Sequence, residues 1–567
     1  MFKGRVFLLA VLMTLLPSFI ILCKKGEERF DILIKNGKVV DGTGNPWFYG
    51  DVGIKGDTIV EIGNLKGKSA RKLIDAGGFV VSPGFIDMHT HCDRELGEVD
   101  SNANLNYLTQ GVTTVVTGNC GGSVSLKVLE TKAKWEAQGI GTNAVFLVGH
   151  GNIRREVMGD EPREATKEEI EKMKEILRRA MEEGAWGIST GLEYIPGRYS
   201  HTEELIALTK VVGEFGGVYT SHLRDENDGI VEAIKETIRI AEESGARVNV
   251  AHFKVTGKNN WGLMEVAVKE INEARKRGVY ITADLYPYVQ SAPFGPIWSF
   301  VEIPNEMKPL AELKQKMRSG NFTPEEKEKL KELYLEELEK ALKDESKREE
   351  IKKMTIEGLS HAPSSVAMWG WHDNTVMVSD KYPYFMGKNF IDIFEKVGGE
   401  PFDIIVDFIL NDPEMLYAGG SMSEEDLRHA LKQPWVMVSS DGSAMPIKGG
   451  EEKPVRGHPR CFGSFPKVFR KYVREEKLLS VEEAVRKMTS LPASFLQMKD
   501  RGLLLRGYKA DVVIFDPDAI KDNATYVDSQ KYSYGIEYVL VNGKVSLEKS
   551  NYTKTLSGRL LLLTEKR

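Results

Sequence analysis

The sequence predicts an α/β fold, a (β/α)8 TIM-like barrel with a small β-sandwich built from both chain ends and a helical insertion. From residue 84 the 567-residue chain alternates short β-rich runs with amphipathic helical stretches, and eight such runs occur. Strand, helix and parallel strand repeated eight times is typical of a closed barrel. An open doubly wound sheet is the alternative, but no G-x-G-x-x-G follows the first run.

The eight predicted barrel strands are short and rich in β-branched or aromatic residues. Helical patterns such as 167–184 and 229–245 separate most of them, with apolar residues at three and four spacing and a closing glycine. These features predict a barrel over residues 83–502. The strands are GFIDMHTH (84–91), TTVVTGNC (113–120), NAVFLVGH (143–150), GIST (187–190), VYTSHL (218–223), RVNVAHF (247–253), YITADLYPY (280–288) and VMVSSDG (436–442).

Residues 28–82 and 503–560 alternate apolar and polar positions between Asn-Gly and Gly-Asp turns, which predicts hairpins that join into one β-sandwich. Residues 294–354 interrupt the barrel rhythm. There Thr323 is a predicted helix N-cap, Pro324 stands in the first turn, and Glu326 closes a capping box ahead of leucines 335, 338 and 342. We interpret this segment as a helical insertion over the barrel mouth, and a solvated excursion without a role is the alternative.

Composition narrows the class of function. A hydrophobic fraction of 41% and a charged fraction of 28% are those of a soluble globular protein. A net charge of -6 gives no basic footprint for nucleic acid, so the expected partner is a small molecule. Four cysteines do not make a disulfide scaffold, but a Cys92–Cys120 bridge would compete with any metal role for Cys120. Nothing in the sequence indicates the number of subunits.

Residues 1–25 predict a secretory signal or an N-terminal anchor, because Lys3 and Arg5 precede an apolar run over 6–22. Cys23 could be the lipid-modified first residue of a lipoprotein, although Leu22 before it is larger than usual. We therefore expect an exported protein of the cell envelope, or a secreted one, with membrane attachment through this segment as one form.

Metal-ligand residue types stand where predicted barrel strands end. His89 and His91 alternate on a strand and so point to the same face. Because the carboxyl ends of barrel strands face one pocket, side chains that are distant in sequence meet there. Five of the six candidates are His or Cys, although the chain has only ten histidines and four cysteines. The candidates are His89, His91, Cys120, His222, His252 and Asp441.

His, Cys and carboxylate together suit Zn²⁺, whereas Mg²⁺ or Ca²⁺ would require oxygen ligands. Zinc lowers the pKa of bound water from about 16 to about 7, which predicts hydrolysis. Asp441 can take the proton of the attacking water and later give it to a leaving amine, as general base and then general acid. The alternative role for Asp441 is to form the turn in SSDGS.

Seven runs closely resemble the N-acyl-D-amino-acid deacylases, or D-aminoacylases, of the amidohydrolase superfamily. The resemblance extends from about residue 30 to about residue 517 and implies a zinc-dependent hydrolase. Such an enzyme cleaves the amide of N-acyl-D-amino acids to a carboxylate and a free D-amino acid. The runs are VSPGFIDMHTH, QGVTTVVTGNCG, GAWGISTGLEYIPG, YTSHLRDE, VNVAHFKVTG, VSSDGS and GHPRCFGSFPKVF.

The resemblance also implies how the donors divide between two metal positions. Cys120, His222 and His252 would hold the tightly bound zinc. A second position, often weak or empty, would be formed by His89, His91 and Asp441. Dihydropyrimidinases of the same superfamily bridge two metals with a carboxylated lysine, but here the second strand ends in GNCGG. The cysteine favours the D-aminoacylase branch, while Cys92 departs from the family pattern and could be a stray ligand or an oxidation site.

Four residues are candidate substrate contacts. Lys254 and Arg224 each lie two residues past a histidine donor, and a substrate carboxylate near the metal calls for a cation. The resemblance implies that Tyr194 and Tyr286 contact the substrate or polarise its carbonyl. A structural role is the alternative for each of the four, since strand ends also need ion pairs and aromatic lining.

Two rival functions stay open. The same apparatus could open cyclic amides, as a dihydropyrimidinase or hydantoinase does, or act as a D-residue dipeptidase. A non-enzymatic envelope binding module could keep the fold, but the complete donor set argues against it. His150 and His458 fit family motifs without a ligand assignment, and we interpret them as supporting residues.

Overall fold

A computed structural model describes residues 29–291, 295–319, 323–358, 364–366, 370–371, 373–420, 422–445, 457–526 and 528–566. The predicted signal or anchor segment, 1–25, lies outside the described residues. Within the described part of the chain, every helix is too short or too polar to cross a membrane.

The strands of the described residues are short, and most belong to two nine-stranded sheets. In chain order they are β1 Phe30–Val39, β2 Phe48–Lys55, β3 Thr58–Gly63, β4 Ala70–Asp75, β5 Val80–Pro83, β6 Phe85–Asp87, β7 Val112–Thr117, β8 Asn143–Gly149, β9 Gly187–Gly191, β10 Val218–His222, β11 Arg247–Val250, β12 Ile281–Leu285, β13 Gly295–Pro296, β14 Thr375–Val378, β15 Leu416–Ala418, β16 Val436–Val438, β17 Val512–Phe515, β18 Ile536–Val541, β19 Lys544–Glu548, β20 Asn551–Tyr552 and β21 Leu560–Leu561.

Helices alternate with the barrel strands and also build the segment between β12 and β16. The α-helices are Leu105–Leu108, Val128–Gln138, His150–Met158, Lys167–Glu182, Thr202–Glu214, Ile230–Ser244, Leu263–Lys276, Lys308–Ser319, Pro324–Lys343, Glu345–Glu357, Phe390–Val397, Pro401–Asn411, Glu424–Leu431, Arg460–Lys467, Val481–Met488 and Ser490–Phe495. Short 3-10 helices occupy Glu95–Gly97, Gly197–Tyr199, Lys258–Asn260, Ile297–Ser299, Pro383–Phe385 and Leu563–Lys566, and a π-helix occupies Val468–Glu475.

Eight parallel strands form the predicted barrel, in the spatial order β16-β12-β11-β10-β9-β8-β7-β6. A parallel bridge between Thr90 and Gly442 joins the first and last of them. On either side of this bridge, the His91 amide donates to the Gly442 carbonyl and the Asp441 amide donates to the His89 carbonyl, both at 2.8 Å. The barrel prediction is confirmed. Its closure places His89 and His91, the first predicted ligands in the sequence, beside Asp441, the last of them.

The two chain ends form one continuous hydrogen-bonded sheet of nine strands. In this terminal sheet, β5 lies between β1, with which it is parallel, and β17, with which it is antiparallel, so that Val512 pairs with Pro83. Apolar residues from both ends share one core that includes Ile34, Val52 and Leu540. Only one residue separates β5 from β6, and the terminal sheet therefore leads directly into the barrel.

The excursion between β12 and β16 forms an apolar core of its own. Its helix Pro324–Lys343 begins at Thr323 with the predicted capping box, and Leu338 and Leu342 are buried in this core. The core continues to Tyr417, beyond the boundary at residue 354, because later helices supply much of its aromatic packing. The described residues between 295 and 420 therefore form one folded unit.

Candidate active site

A cavity of about 730 Å³ lies at the carboxyl ends of the barrel strands. Barrel residues at its wall include His91, His252 and Asp441, and the excursion adds Leu416 and Tyr417. The excursion thus contributes to the site, which supports a covering role over the alternative of a solvated segment.

The backbone leaves strand geometry where the donors stand. His222 closes β10, but Cys120, His252 and Asp441 follow their strands with φ angles of 51°, 32° and 50°. Non-glycine residues with positive φ are uncommon and concentrate at functional sites. These three residues therefore stand in loops two or three residues past the strand ends, where they line the cavity.

Two glycines make room for the loop that carries Cys120. Gly118 has a φ of +80°, and a side chain there would collide with the Leu147 carbonyl oxygen. Gly121 has a φ of +74°, and a Cβ there would lie 2.7 Å from the Gly191 amide nitrogen. Glycine is suited to both demands, so the sequence GNCGG places the thiol between two close backbone approaches.

Three donor atoms converge at the centre of the site. The Cys120 Sγ lies 3.5 Å from His252 Nε2 and 3.7 Å from His222 Nδ1, and the two nitrogens are 2.7 Å apart. Thiolate is soft and imidazole borderline, so the chemistry of this set fits zinc better than a hard oxygen-seeking cation. The geometry is that of a site whose donors face one common point.

Carboxylates hold the outer nitrogens of these two histidines. His222 Nε2 lies 3.0 Å from the Glu193 carboxylate, and His252 Nδ1 lies 2.9 Å from the Glu226 carboxylate. Such contacts fix the tautomer of a metal-binding histidine and leave its inner nitrogen free to coordinate. Sequence reasoning missed Glu193 and Glu226. Both lie in the family-like runs, but linear spacing alone does not pair them with a histidine.

A second donor group shares Cys120 with the first. His89 Nε2 lies 3.2 Å from the Cys120 Sγ and 3.4 Å from Asp441 Oδ1, and His91 Nε2 lies 3.1 Å from the same Asp441 oxygen. His89 is fully buried, and its outer nitrogen faces Asp284 at 3.7 Å. The structure therefore brings all six predicted ligands together, with the thiol between two adjoining groups.

Charges in the site favour the ionised thiol and carboxylate. Burial alone raises the pKa of Cys120, but the nearby imidazoles of His89, His222 and His252 outweigh it and hold that pKa well below its ordinary value. Burial also raises the pKa of Asp441, yet the Arg460 guanidinium overrides it and holds the carboxyl well below its usual range. Both groups are thus poised as anions beside the donor nitrogens.

Two cations lie near the Tyr286 ring. Lys254 Nζ lies 2.7 Å from the Glu226 carboxylate and 5.9 Å from the Tyr286 ring centre. Arg460 donates to Asp441 at 2.6 Å, and its guanidinium carbon lies 4.9 Å from the same ring centre. The Tyr286 hydroxyl is buried without a hydrogen-bond partner among the described residues. It is therefore available to a substrate oxygen, and Arg460 joins the site although sequence reasoning did not select it.

The structure places Tyr194 at the cavity but keeps Arg224 out of it. Tyr194 as a whole residue is 47% exposed, and its ring centre lies 4.5 Å from that of His222. Arg224 instead donates to the Glu236 carboxylate and to the carbonyls of Arg198 and Ser200. This geometry removes Arg224 from the candidate substrate contacts, because its guanidinium is already occupied by helix and loop acceptors.

The remaining candidates have structural surroundings. Cys92, Cys120 and Cys461 are free thiols, so no bridge to Cys92 competes for Cys120. Cys92 is buried, burial raises the pKa of its thiol well above the ordinary value, and it does not line the cavity. His150 pairs with buried Glu204 at 2.7 Å. His458 lines the cavity, with its Nε2 at 3.0 Å from the Gln290 carbonyl.

A barrel with a His, Cys and Asp cluster at the carboxyl ends of its strands is characteristic of metal-dependent hydrolases. The family model described as "Amidohydrolase family" matches residues 72–284 and 427–547. The excursion lies between the two matched segments.

Similarity to known proteins shows to which branch of this family the chain belongs. The D-aminoacylase of Alcaligenes xylosoxydans xylosoxydans is 31% identical over 95% of this chain and 99% of its own length. The N-acyl-D-glutamate deacylase of the same organism is also 31% identical, over 91% and 93%. A crystal structure of N-acyl-D-glutamate deacylase from Bordetella bronchiseptica, with zinc and a phosphonate inhibitor, matches with a TM-score of 0.71 at 30% identity over 94% of this chain and 100% of that one. The chain belongs to the D-aminoacylase family of amidohydrolases.

Proposed function

We propose that the protein is a zinc-dependent N-acyl-D-amino-acid deacylase, which hydrolyses the amide bond to a carboxylate and a free D-amino acid. The observation that carries this proposal is the convergence of Cys120, His222 and His252 on one point, with the outer histidine nitrogens held by carboxylates. Membership of the D-aminoacylase family supports the substrate class.

Zinc bound at this point supplies a Lewis acid that polarises the amide carbonyl and acidifies water. Cys120, His222 and His252 are the residues that we assign to the tight position. His89, His91 and Asp441 would hold an ion at an adjoining second position, and the Cys120 Sγ lies 3.2 Å from His89 Nε2, within reach of this group as well.

Asp441 is the proposed proton carrier. One of its oxygens faces His89 and His91, and the other accepts from Arg460 at 2.6 Å. The Arg460 guanidinium favours the ionised carboxylate, which is the form that can accept the proton of the attacking water. The protonated carboxyl would then donate that proton to the leaving amine nitrogen.

Lys254, Arg460 and Tyr286 are the proposed anchor for the substrate α-carboxylate. Both cations lie close to the Tyr286 ring centre, at 5.9 Å and 4.9 Å, and the buried Tyr286 hydroxyl supplies a hydrogen-bond donor near them. Tyr194, at the exposed side of His222, is placed to contact the acyl portion of the substrate. Anchoring the carboxylate orients the scissile amide relative to Asp441.

A stereochemical assay tests the proposal. Purified protein loaded with zinc should hydrolyse N-acetyl-D-leucine and leave N-acetyl-L-leucine untouched, and a chelator should abolish turnover until zinc is restored. Preference for the L substrate would overturn the proposal that N-acyl-D-amino acids are the substrates. Faster cleavage of hydantoin, dihydropyrimidine or D-residue dipeptides in the same panel would favour the rival amide hydrolases.

We also propose that the protein is exported to the cell envelope or secreted, with membrane attachment as one form. Support comes from the composition of residues 1–25, a basic start followed by an apolar run. Cell fractionation of the full-length chain against a chain lacking residues 1–25 tests this. Recovery of both chains in the same soluble cytoplasmic fraction would contradict export.

A further inference from the structure

We infer that Arg224 is a positioning residue of the metal site, which acts by holding the loop that carries Glu193. This loop, residues 192–200, joins β9 to the helix Thr202–Glu214. The inference rests on the proposed zinc-dependent deacylase function and concerns how tightly the same site holds its metal. It gives a role to an arginine that the geometry removes from the substrate contacts.

The 192–200 loop begins at the metal site. The Leu192 amide donates to the His222 carbonyl at 3.2 Å, and the Glu193 carboxylate lies 3.0 Å from His222 Nε2. Fixing the outer nitrogen in this way supports metal binding by the inner nitrogen. The Glu193 side chain is 34% exposed, so its place beside the imidazole depends on the backbone that carries it.

The far end of the loop is held by Arg224, which stands two residues past His222. Its Nη1 donates to the Arg198 carbonyl at 3.1 Å, and its Nη2 donates to the Ser200 carbonyl at 3.1 Å. Segment 222–224 therefore contacts both ends of the loop. These two attachments fix the loop relative to the histidine.

A carboxylate on the neighbouring helix Ile230–Ser244 fixes Arg224 itself. Glu236 accepts from Arg224 Nε at 3.0 Å and from Nη2 at 2.9 Å. The hydroxyl of Thr202, the first residue of the helix after the loop, donates to the same carboxylate at 2.8 Å. A planar guanidinium can serve a carboxylate and two carbonyls at once, whereas the ammonium of lysine is a point charge on a flexible stem. The arrangement therefore suits arginine specifically.

Arg155 limits how far the loop can move without Arg224. Its Nη2 donates to the Ile195 carbonyl, in the middle of the loop, at 2.8 Å. Without Arg224, the far end of the loop would lose two hydrogen bonds but the middle would keep this one. Glu193 would then spend less time beside His222, so the expected consequence is weaker binding of zinc rather than its loss.

The zinc dissociation constant tests this role. Arg224→Ala should raise it about tenfold, measured by competition with a chromophoric chelator on the purified protein. Arg239→Ala is the matched control and should keep the wild-type constant, since Arg239 also joins the helices Ile230–Ser244 and Thr202–Glu214, by donating to Glu203 at 2.9 Å. An unchanged constant in folded Arg224→Ala would overturn the inference. Failure of the wild-type chain to bind zinc would instead overturn the proposed function.

A double-mutant cycle tests the path through Glu193. Glu193→Ala removes the carboxylate that the loop presents to His222. Addition of Arg224→Ala to that variant should therefore raise the zinc dissociation constant by less than about twofold more. A further tenfold rise would show that Arg224 acts elsewhere, and would overturn its positioning role.

Chemical rescue separates positioning from a general loss of stability. The Arg224 side chain is 32% exposed, so guanidinium ion at a non-denaturing concentration can enter the space left in Arg224→Ala and should recover part of the lost zinc affinity. Arg224→Lys keeps the charge without the fork, and its dissociation constant should stay at least about threefold above that of wild type. Absence of rescue in folded Arg224→Ala would contradict the inference. If that variant does not fold, wild-type affinity in Arg224→Lys would overturn it.

Discussion

Asp441 and Arg460 form a buried pair that sets the charge of the site. The guanidinium lies 2.6 Å from one carboxylate oxygen and leaves the other to the histidines. Burial raises the pKa of Asp441, but the Arg460 guanidinium and the nearby histidines hold it well below its usual range. The ionised carboxylate is therefore the form that is ready to accept a proton.

Replacement of Asp441 by asparagine tests this role. Asn keeps the shape of the side chain but cannot accept the proton, so kcat should fall by about a thousandfold or more while one zinc remains bound. Steady-state kinetics and metal analysis of Asp441→Asn check both parts. Wild-type turnover in this variant would remove Asp441 from the mechanism.

Replacement of Cys120 by alanine should remove the tight zinc, because the thiolate is shared by both donor groups. Metal analysis after dialysis should find less than about a tenth of the wild-type zinc, given the loss associated with a missing ligand. Cys92→Ala is the matched control, since Cys92 is a buried free thiol outside the cavity and its variant should retain zinc. Full zinc in Cys120→Ala would exclude the thiol as a ligand.

At the residue scale, the sequence predicts the metal-ligand side chains better than the charged side chains that hold those ligands in place. Six ligand candidates follow from residue type and strand position, and the structure brings them together. Glu193, Glu226 and Arg460 were missed because their significance depends on partners in other strands and loops. Arg224 was selected from its position two residues past His222, an argument that does not foresee the competing carboxylate of Glu236.

At the scale of the elements, the predicted and observed boundaries differ most at the carboxyl ends of the barrel strands. The runs predicted to end at Cys120 and Gly442 end as strands at Thr117 and Val438. Apolar periodicity predicts the paired interior of a strand, but it does not reveal the positive φ angles at the donors. Helix beginnings are more predictable, as the capping box at Thr323 illustrates, because a local side-chain pattern specifies them.

The helix Val481–Met488 carries a lysine whose burial makes stability depend on pH. Lys487 is fully buried and donates to the carbonyls of Gln433 and Val436, and burial lowers its pKa to about 8. Between that value and its unfolded pKa of about 10.5, the unfolded chain binds more protons than the folded chain. The contribution of Lys487 to stability therefore rises with pH through this interval.

We expect the unfolding free energy of wild type, relative to Lys487→Met, to increase by about 2.5 kcal/mol from pH 7 to pH 10. Methionine approximates the length of the apolar stem and does not titrate. Denaturant titrations of both proteins at the two pH values measure the difference. A difference that stays constant, or falls as pH rises, would contradict the buried ammonium.

At the scale of the whole molecule, the metal site ties barrel strands from the first to the last. Zinc that binds only the folded state adds about 2.7 kcal/mol when its free concentration is 100 times its dissociation constant. A chelator should therefore lower the Tm of wild type by several degrees. Cys120→Ala should show the same Tm with and without chelator, and an unchanged wild-type Tm would contradict a zinc site that stabilises the fold.

The overall architecture was largely predictable, since the eight barrel strands and the joining of the two chain ends follow from periodicity and turn residues. The extent of the excursion was not. Its sequence beyond residue 354 contains helical and strand patterns like those of the barrel, and only the shared core with Tyr417 assigns them to one unit. Tertiary packing decides where such a boundary falls.

The pairing of β5 with β17 has a consequence for how the chain is made. β5 leads through one residue into the strand that precedes His89 and His91, yet its neighbour in the sheet is more than 400 residues away along the chain. During synthesis, the amino-terminal half of the chain emerges from the ribosome long before β17 has been translated. The nascent polypeptide consequently emerges with an unsatisfied sheet edge next to two of its future ligands, and the native state is completed only after synthesis has reached the carboxyl terminus.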